Sequence, residues 1–177
     1  MTEIEDRMRR LETRVAALDD QVQLYQLMSS YGPLVDGGDA EGAAALWVED
    51  GVYDWGGGEM ARASGKVTEG AEGAAFGRDA IADMVRGAYH QRIIHEGAGH
   101  VLGLPHVVLD GDTATAISYS RLYRYDGENF RVWRVAANRW EFARTPQGWR
   151  VERRVNRVLN GAEEARALLR SGVAAAE

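Results

Sequence analysis

Four histidines, His90, His95, His100 and His106, stand in a chain of 177 residues that has no cysteine. An imidazole with its ordinary pKa near 6.5 accepts a proton at neutral pH, so each is a candidate base. The first three are five residues apart, whereas helical metal-ligand pairs stand three or four apart, as in HExxH. The spacing argues against a metal centre. The missing cysteines exclude a thiolate nucleophile, a thiolate metal site and a disulfide scaffold. Gly56–Gly77 is glycine-rich, yet it contains neither GxGxxG nor GxxxxGK[ST], so a nucleotide site is not expected there and no cofactor is implied. Asp36 lies in the turn-forming run Asp36-Gly37-Gly38-Asp39. Asp39 suits a helix N-cap, which leaves Asp36 for another role. Asn138 falls in the alternating run Val132–Phe142, on the side of Ala136, Trp140 and Phe142. A buried amide there must find a partner, and a ligand is one such partner. Arg154, among Arg150, Arg153 and Arg157, reads as part of a charged exposed strand face unless a pocket claims it. Trp55, Trp133, Trp140, Phe142 and Tyr119 supply aromatic surface for a core or for a pocket that takes a flat, apolar ring.

Helices and strands must position these groups. Thr2 and Glu5 have capping-box spacing, and Ile4, Met8, Leu11, Val15, Leu18, Val22 and Tyr25 form a heptad stripe. The pattern predicts a helix over 2–31, with 1–23 as an arm that packs on its own domain or on a partner subunit. Gly32-Pro33 should kink or end it. A helix over Ala40–Val48, a turn at Glu49-Asp50-Gly51 and a short strand Val52–Trp55, which includes Tyr53, follow. Gly56–Gly77 reads as a long loop and Arg78–Tyr89 as a third helix. Gly99–Leu109, Thr113–Tyr125, Phe130–Arg144 and Trp149–Leu159 alternate as strands, separated by hairpin signals at Asp110-Gly111-Asp112, Asp126-Gly127-Glu128 and Thr145–Gly148. From Gly161 to the end the chain suggests a short helix that frays at Ala174–Ala176. Helices first and an antiparallel meander after make an α+β domain over 24–160 between an arm and a tail, 161–177.

The net charge is −6, with 45% hydrophobic and 27% charged residues. The acidic balance argues against a nucleic-acid surface. No apolar run approaches the ~20 residues of a membrane span, and the charged start MTEIEDRMRR does not read as a secretory signal. A single cytoplasmic domain with a small-molecule substrate is the expectation.

Tyr31–Asp39, Ala45–Tyr53, Gly99-His100, Asp110–Ala114 and Gly148–Val151, in this order and spacing, resemble the SnoaL-like branch of the nuclear transport factor two-like superfamily over residues 20–157. The resemblance implies a cone: a strongly bent mixed sheet closed by about three helices around a deep pocket. It also implies a homo-oligomer, a trimer rather than a dimer, although Val15 and Val22 alternating with Leu11 and Leu18 suit two parallel strands.

Scytalone dehydratase, lindane dehydrochlorinase and bile-acid dehydratases of this branch share an Asp–His pair, and the matching positions here are Asp36 and His100. Tyr31 matches a tyrosine of the bile-acid dehydratase, Asn138 a pocket asparagine of scytalone dehydratase, and Arg154 an arginine near the leaving group of the dehydrochlorinase. Where scytalone dehydratase has a second histidine and a serine, this chain offers Tyr123 or Tyr125 and Ala136. The resemblance implies a metal- and cofactor-independent lyase, a dehydratase or else an isomerase. His100 would be the base, Asp36 its orienter, Tyr31 and Arg154 the groups at oxygen or leaving group, and Asn138, Tyr53, Trp55, Trp140 and Tyr123 the substrate contacts. Two alternatives stand beside it. One is a ligand-binding or assembly domain without catalysis. The other is an epoxide hydrolase with an Arg-x-Asp run, for which the chain offers only Arg124-Tyr125-Asp126.

Overall fold

The computed structural model describes residues 2–56 and 73–172. The order is α1 (Glu3–Asp36), α2 (Ala40–Ala45), β1 (Trp47–Asp54), β2 (Ala74–Phe76), α3 (Gly77–Arg86), α4 (Ala88–Glu96), β3 (Ala98–Leu102), β4 (His106–Asp110), β5 (Thr113–Tyr125), β6 (Phe130–Thr145), β7 (Gly148–Val158) and α5 (Glu163–Arg170). The strands form one curved mixed sheet in the order β2-β1-β7-β6-β5-β3, with β4 also on β5. Among the described residues only the β1–β7 pairing is parallel. This is the α+β architecture with the long N-terminal helix expected.

α1 begins at the capping box of Thr2 and Glu5 but does not break at Gly32-Pro33. Pro33 removes one ladder donor. Packing offsets this, because Tyr31, Gly32 and Val35 are buried and the Gly37 N–H donates to the Pro33 carbonyl at 2.8 Å. Gly32 is a close-approach glycine rather than a turn glycine: a Cβ there would lie 2.2 Å from the His100 carbonyl oxygen. α1 therefore runs against β3 and delivers Asp36, in its last turn, to His100. Gly32→Ala should force the two elements apart and destabilise the domain by about 1–3 kcal/mol, the usual cost of overpacking. Urea unfolding of the variant checks this; an unchanged midpoint would show that α1 and β3 can separate freely. The same helix is tied to the sheet at Asp20, which accepts from Arg144 Nη2 at 2.6 Å and Trp149 Nε1 at 3.0 Å.

Several boundaries differ from the sequence reading. The second helix stops at Ala45, and Trp47 and Val48 belong to β1. The predicted turn Glu49–Gly51 is a register irregularity inside that strand. Gly51 is needed there because a Cβ would meet the Trp47 side chain at 2.7 Å. The third helix is two helices, broken at Gly87, whose ψ of 146° is extended. Gly99–Leu109 is two strands separated by Gly103-Leu104-Pro105, each pairing with β5. Of the long loop, residues 74–76 form β2 against β1, and 57–72 lie outside the described residues, as does the fraying expected at Ala174–Ala176. The three hairpins fall where predicted. Trp47, Trp140, Phe142, Trp149 and Val151 form the centre of the core with Leu24, Met28 and Val35 of α1.

Candidate active site

Asp36 sits where α1 ends, and its carboxylate holds β3 twice. Oδ2 accepts the His100 backbone N–H at 2.7 Å, and Oδ1 lies 2.5 Å from His100 Nδ1. The carboxylate partner assigns the ring proton to Nδ1, which leaves Nε2 as the acceptor. The pair is sheltered but reachable, with the His100 side chain 13% and the Asp36 side chain 24% exposed.

His100 borders a small cavity shared with Tyr31, Tyr53, Leu102, Ser120, Leu122, Arg121, Arg134 and Arg154. Its volume of about 10 Å³ holds roughly one water. Arg154 forms its floor. The guanidinium carbon lies 4.3, 4.7 and 4.2 Å from the ring centroids of Tyr31, Tyr53 and Trp140, so three aromatic faces enclose the cation. Arg154 Nε and Nη2 donate to Asn138 Oδ1 at 3.1 and 2.9 Å. Asn156 Nδ2 donates to the same oxygen at 2.8 Å, and Asn138 Nδ2 donates to Ser120 Oγ at 2.9 Å. Arg154 Nη1 and Asn156 Oδ1 are buried without a hydrogen-bond partner. A buried, unpaired donor of a charged group is costly, and an acceptor oxygen on a ligand would satisfy it. Burial, and next the neighbouring Tyr53, push the Tyr31 hydroxyl above its usual range against the opposing pull of Arg154. It therefore stays a neutral donor at physiological pH.

The SnoaL-like domain profile matches residues 16–155. The chain belongs to the SnoaL-like domain family. An NTF2-like protein with a cystatin-like fold from Novosphingobium aromaticivorans is 42% identical, over 90% of this chain and 94% of that one, with a TM-score of 0.80. A Catenulispora acidiphila protein solved in complex with S-DNPA is 21% identical over 82% and 96% of the two chains, with a TM-score of 0.62. ActVI-ORFA from Streptomyces coelicolor is 17% identical over 78% and 96%, with a TM-score of 0.60. The latter two show a shared fold. No curated protein matches the sequence.

In this SnoaL-like domain Asp36, His100, Tyr31, Arg154, Asn138, Tyr53 and Trp140 come together. Trp55 touches Tyr53, with ring centroids 5.4 Å apart, and does not line the cavity. Tyr123, like Trp55, is not among the residues that line the cavity. The sequence reading does not single out Ser120, Arg134 or Asn156, and offers His90 only as one of the four histidines. Ser118 and Ser120 alternate with Ala114, Ala116 and Leu122 on β5, a run of small polar residues on an inward face that was the available signal. The histidines do not converge on a metal: His95 and His106 are exposed, and among the described residues no group of three His, Asp or Glu is placed to hold one. No described helix is long and apolar enough to cross a membrane.

His90, buried on α4, stacks on His100 at 5.4 Å with planes 11° apart, and its Nε2 has no hydrogen-bond partner. Burial first, then His100, hold its pKa down at about 4, against a smaller opposite pull from Asp36. As pH falls below 6.5 the unfolded chain binds this proton before the folded one does. Stability is therefore complete above about 6.5 and declines towards pH 4, by about 3 kcal/mol in all. His90→Phe should flatten that limb of a stability–pH curve measured by denaturant unfolding. An equally steep limb in the variant would place the acid sensitivity elsewhere.

Proposed function

We propose that this domain is a cofactor-independent lyase, a dehydratase or else an isomerase, acting on a ring-bearing small molecule with a carbonyl oxygen. The observation that carries the reading is the Asp36–His100 contact beside a cavity that Arg154 also lines, Arg154 carrying a buried N–H with no partner. In the dehydration, His100 Nε2 takes a proton from the carbon next to the carbonyl, and Asp36 stabilises the imidazolium. The electron pair moves onto the carbonyl oxygen, where Arg154 Nη1 and the Tyr31 hydroxyl are the available donors. Collapse of that enolate expels the hydroxyl from the next carbon, and the imidazolium returns its proton to it as water. In the isomerisation the substrate is a β,γ-unsaturated ketone, so the enolate is a dienolate, and the same proton returns to its γ carbon while the double bond moves into conjugation with the carbonyl. Asn138 and Ser120 hold Arg154 in register, Tyr53 lines the cavity, and Trp140 backs the Arg154 guanidinium from outside the lining.

The test is solvent exchange. Cyclic ketones and cyclic β-hydroxyketones are incubated with the protein in D₂O. Deuterium should enter the position next to the carbonyl, and the hydroxyketones should develop enone absorbance. A second reading, a binding domain without catalysis, is favoured by one observation: the cavity has room for only about one water until the walls move. Ring ketones that shift the His100 NMR signals yet never exchange would select that reading.

A further inference from the structure

The first seventeen residues of α1, Glu3–Asp19, extend beyond the sheet, to which α1 is first hydrogen-bonded at Asp20. Ile4, Met8, Leu11, Val15, Leu18 and Val22 stand between 50% (Leu11) and 74% (Ile4) exposed on this arm. We infer that the arm zips in parallel and in register with the arm of a second copy of this chain, as a two-stranded coiled coil. With Met8, Val15 and Val22 at a and Ile4, Leu11, Leu18 and Tyr25 at d, the e positions are Glu5, Glu12 and Asp19 and the g positions Arg7, Arg14 and Gln21. In a parallel pair each g residue faces the e residue five further on in the other strand. Arg7 then meets Glu12 and Arg14 meets Asp19, in both directions across the two-fold. An antiparallel pair sets e against e and g against g, so acid faces acid and Arg faces Arg. β-branched residues at a with leucine at d select two strands rather than three.

The geometry leaves room for the partner. Asp20 and Leu24, which pack on the sheet, are at f and c, on the side of the helix away from the stripe. The two domains therefore sit outside a central pair of helices. At the base the apolar surface continues across a groove from Tyr25 to Leu104, which is 86% exposed, so contact does not end with the third heptad.

Light scattering on the full chain should give twice the 19.5 kDa chain mass at micromolar concentration. Arg7→Glu with Arg14→Glu makes the flanks wholly acidic, and Glu12→Arg with Asp19→Arg makes them wholly basic at these positions. Each double variant should dimerise at least about ten-fold more weakly than the parent, and mixing the two should restore a dimer. The chain has no cysteine, so Ile4→Cys reports orientation cleanly. Parallel strands oxidise to a covalent dimer, whereas antiparallel strands set the d position 4 against the a position 22 and do not. A monomeric or trimeric parent, unchanged dimerisation of the charge variants, or failure of the cysteine to cross-link would each overturn the inference.

Discussion

On the proposed mechanism, His100→Gln should lower turnover of the ring substrate by about 10²–10⁴-fold, the usual contribution of one general base, and change its binding by only a few-fold. Proton transfer belongs to the transition state, whereas the aromatic walls and Arg154 contact the ground state equally well in the variant. Asp36→Asn should cost turnover too, and the geometry adds a structural consequence. Both carboxylate oxygens face donors, the His100 backbone N–H at 2.7 Å and the ring nitrogen at 2.5 Å. An amide can satisfy only one of them and turns its own N–H₂ towards the other. The ring answers by moving its proton to Nε2 and accepting at Nδ1, so the variant should stay folded while the nitrogen that takes the substrate proton is blocked. The double variant should turn over little more slowly than the worse single, since the two residues act as a unit. Steady-state kinetics on a compound found by solvent exchange decides it: a His100→Gln protein with full turnover removes the base, and multiplied losses uncouple the pair.

The meander and hairpins were legible because alternation and Asp-Gly signals are local. What escaped is set by contacts between distant elements. Gly32-Pro33 carries every local signal of a helix end, yet α1 continues, because the missing side chain at Gly32 lets β3 approach and the buried face holds the last turn together. Arg154 shows the same limit on a strand. Continuing the alternation from the buried Trp149 and Val151 would bury Arg153. Instead the register slips between β6 and β7 at Glu152, and the inward positions become Arg154 and Asn156. A bulge of one residue reverses every side chain beyond it, so composition alone could not separate a pocket arginine from its three surface neighbours. The resemblance to the family supplied Arg154, and the bulge supplies the physical reason it points inward.

Arg154→Met should separate stability from activity. The guanidinium is 2% exposed, and its hydrogen-bond acceptor is the neutral Asn138 Oδ1 rather than a carboxylate. Desolvating a cation this way is expensive. Three ring faces within 4.7 Å offset part of that cost, but Nη1 remains unpaired. Methionine has similar length, keeps apolar contact with Tyr31, Tyr53 and Trp140, and brings no charge. Asn138 Oδ1 is not orphaned, because Asn156 Nδ2 still donates to it at 2.8 Å. The variant should therefore unfold at the same denaturant concentration as the parent or a higher one, gaining between zero and about 2 kcal/mol. Turnover should fall by about 10²–10³-fold, because the donor for the developing oxyanion is gone. On the proposed mechanism, the partnerless Nη1 of a buried cation, where an apolar residue would serve packing better, is there for a ligand oxygen. The opposite pattern, a loss of several kcal/mol with turnover per folded molecule unchanged, would make Arg154 a structural residue and leave His100 without an oxyanion partner.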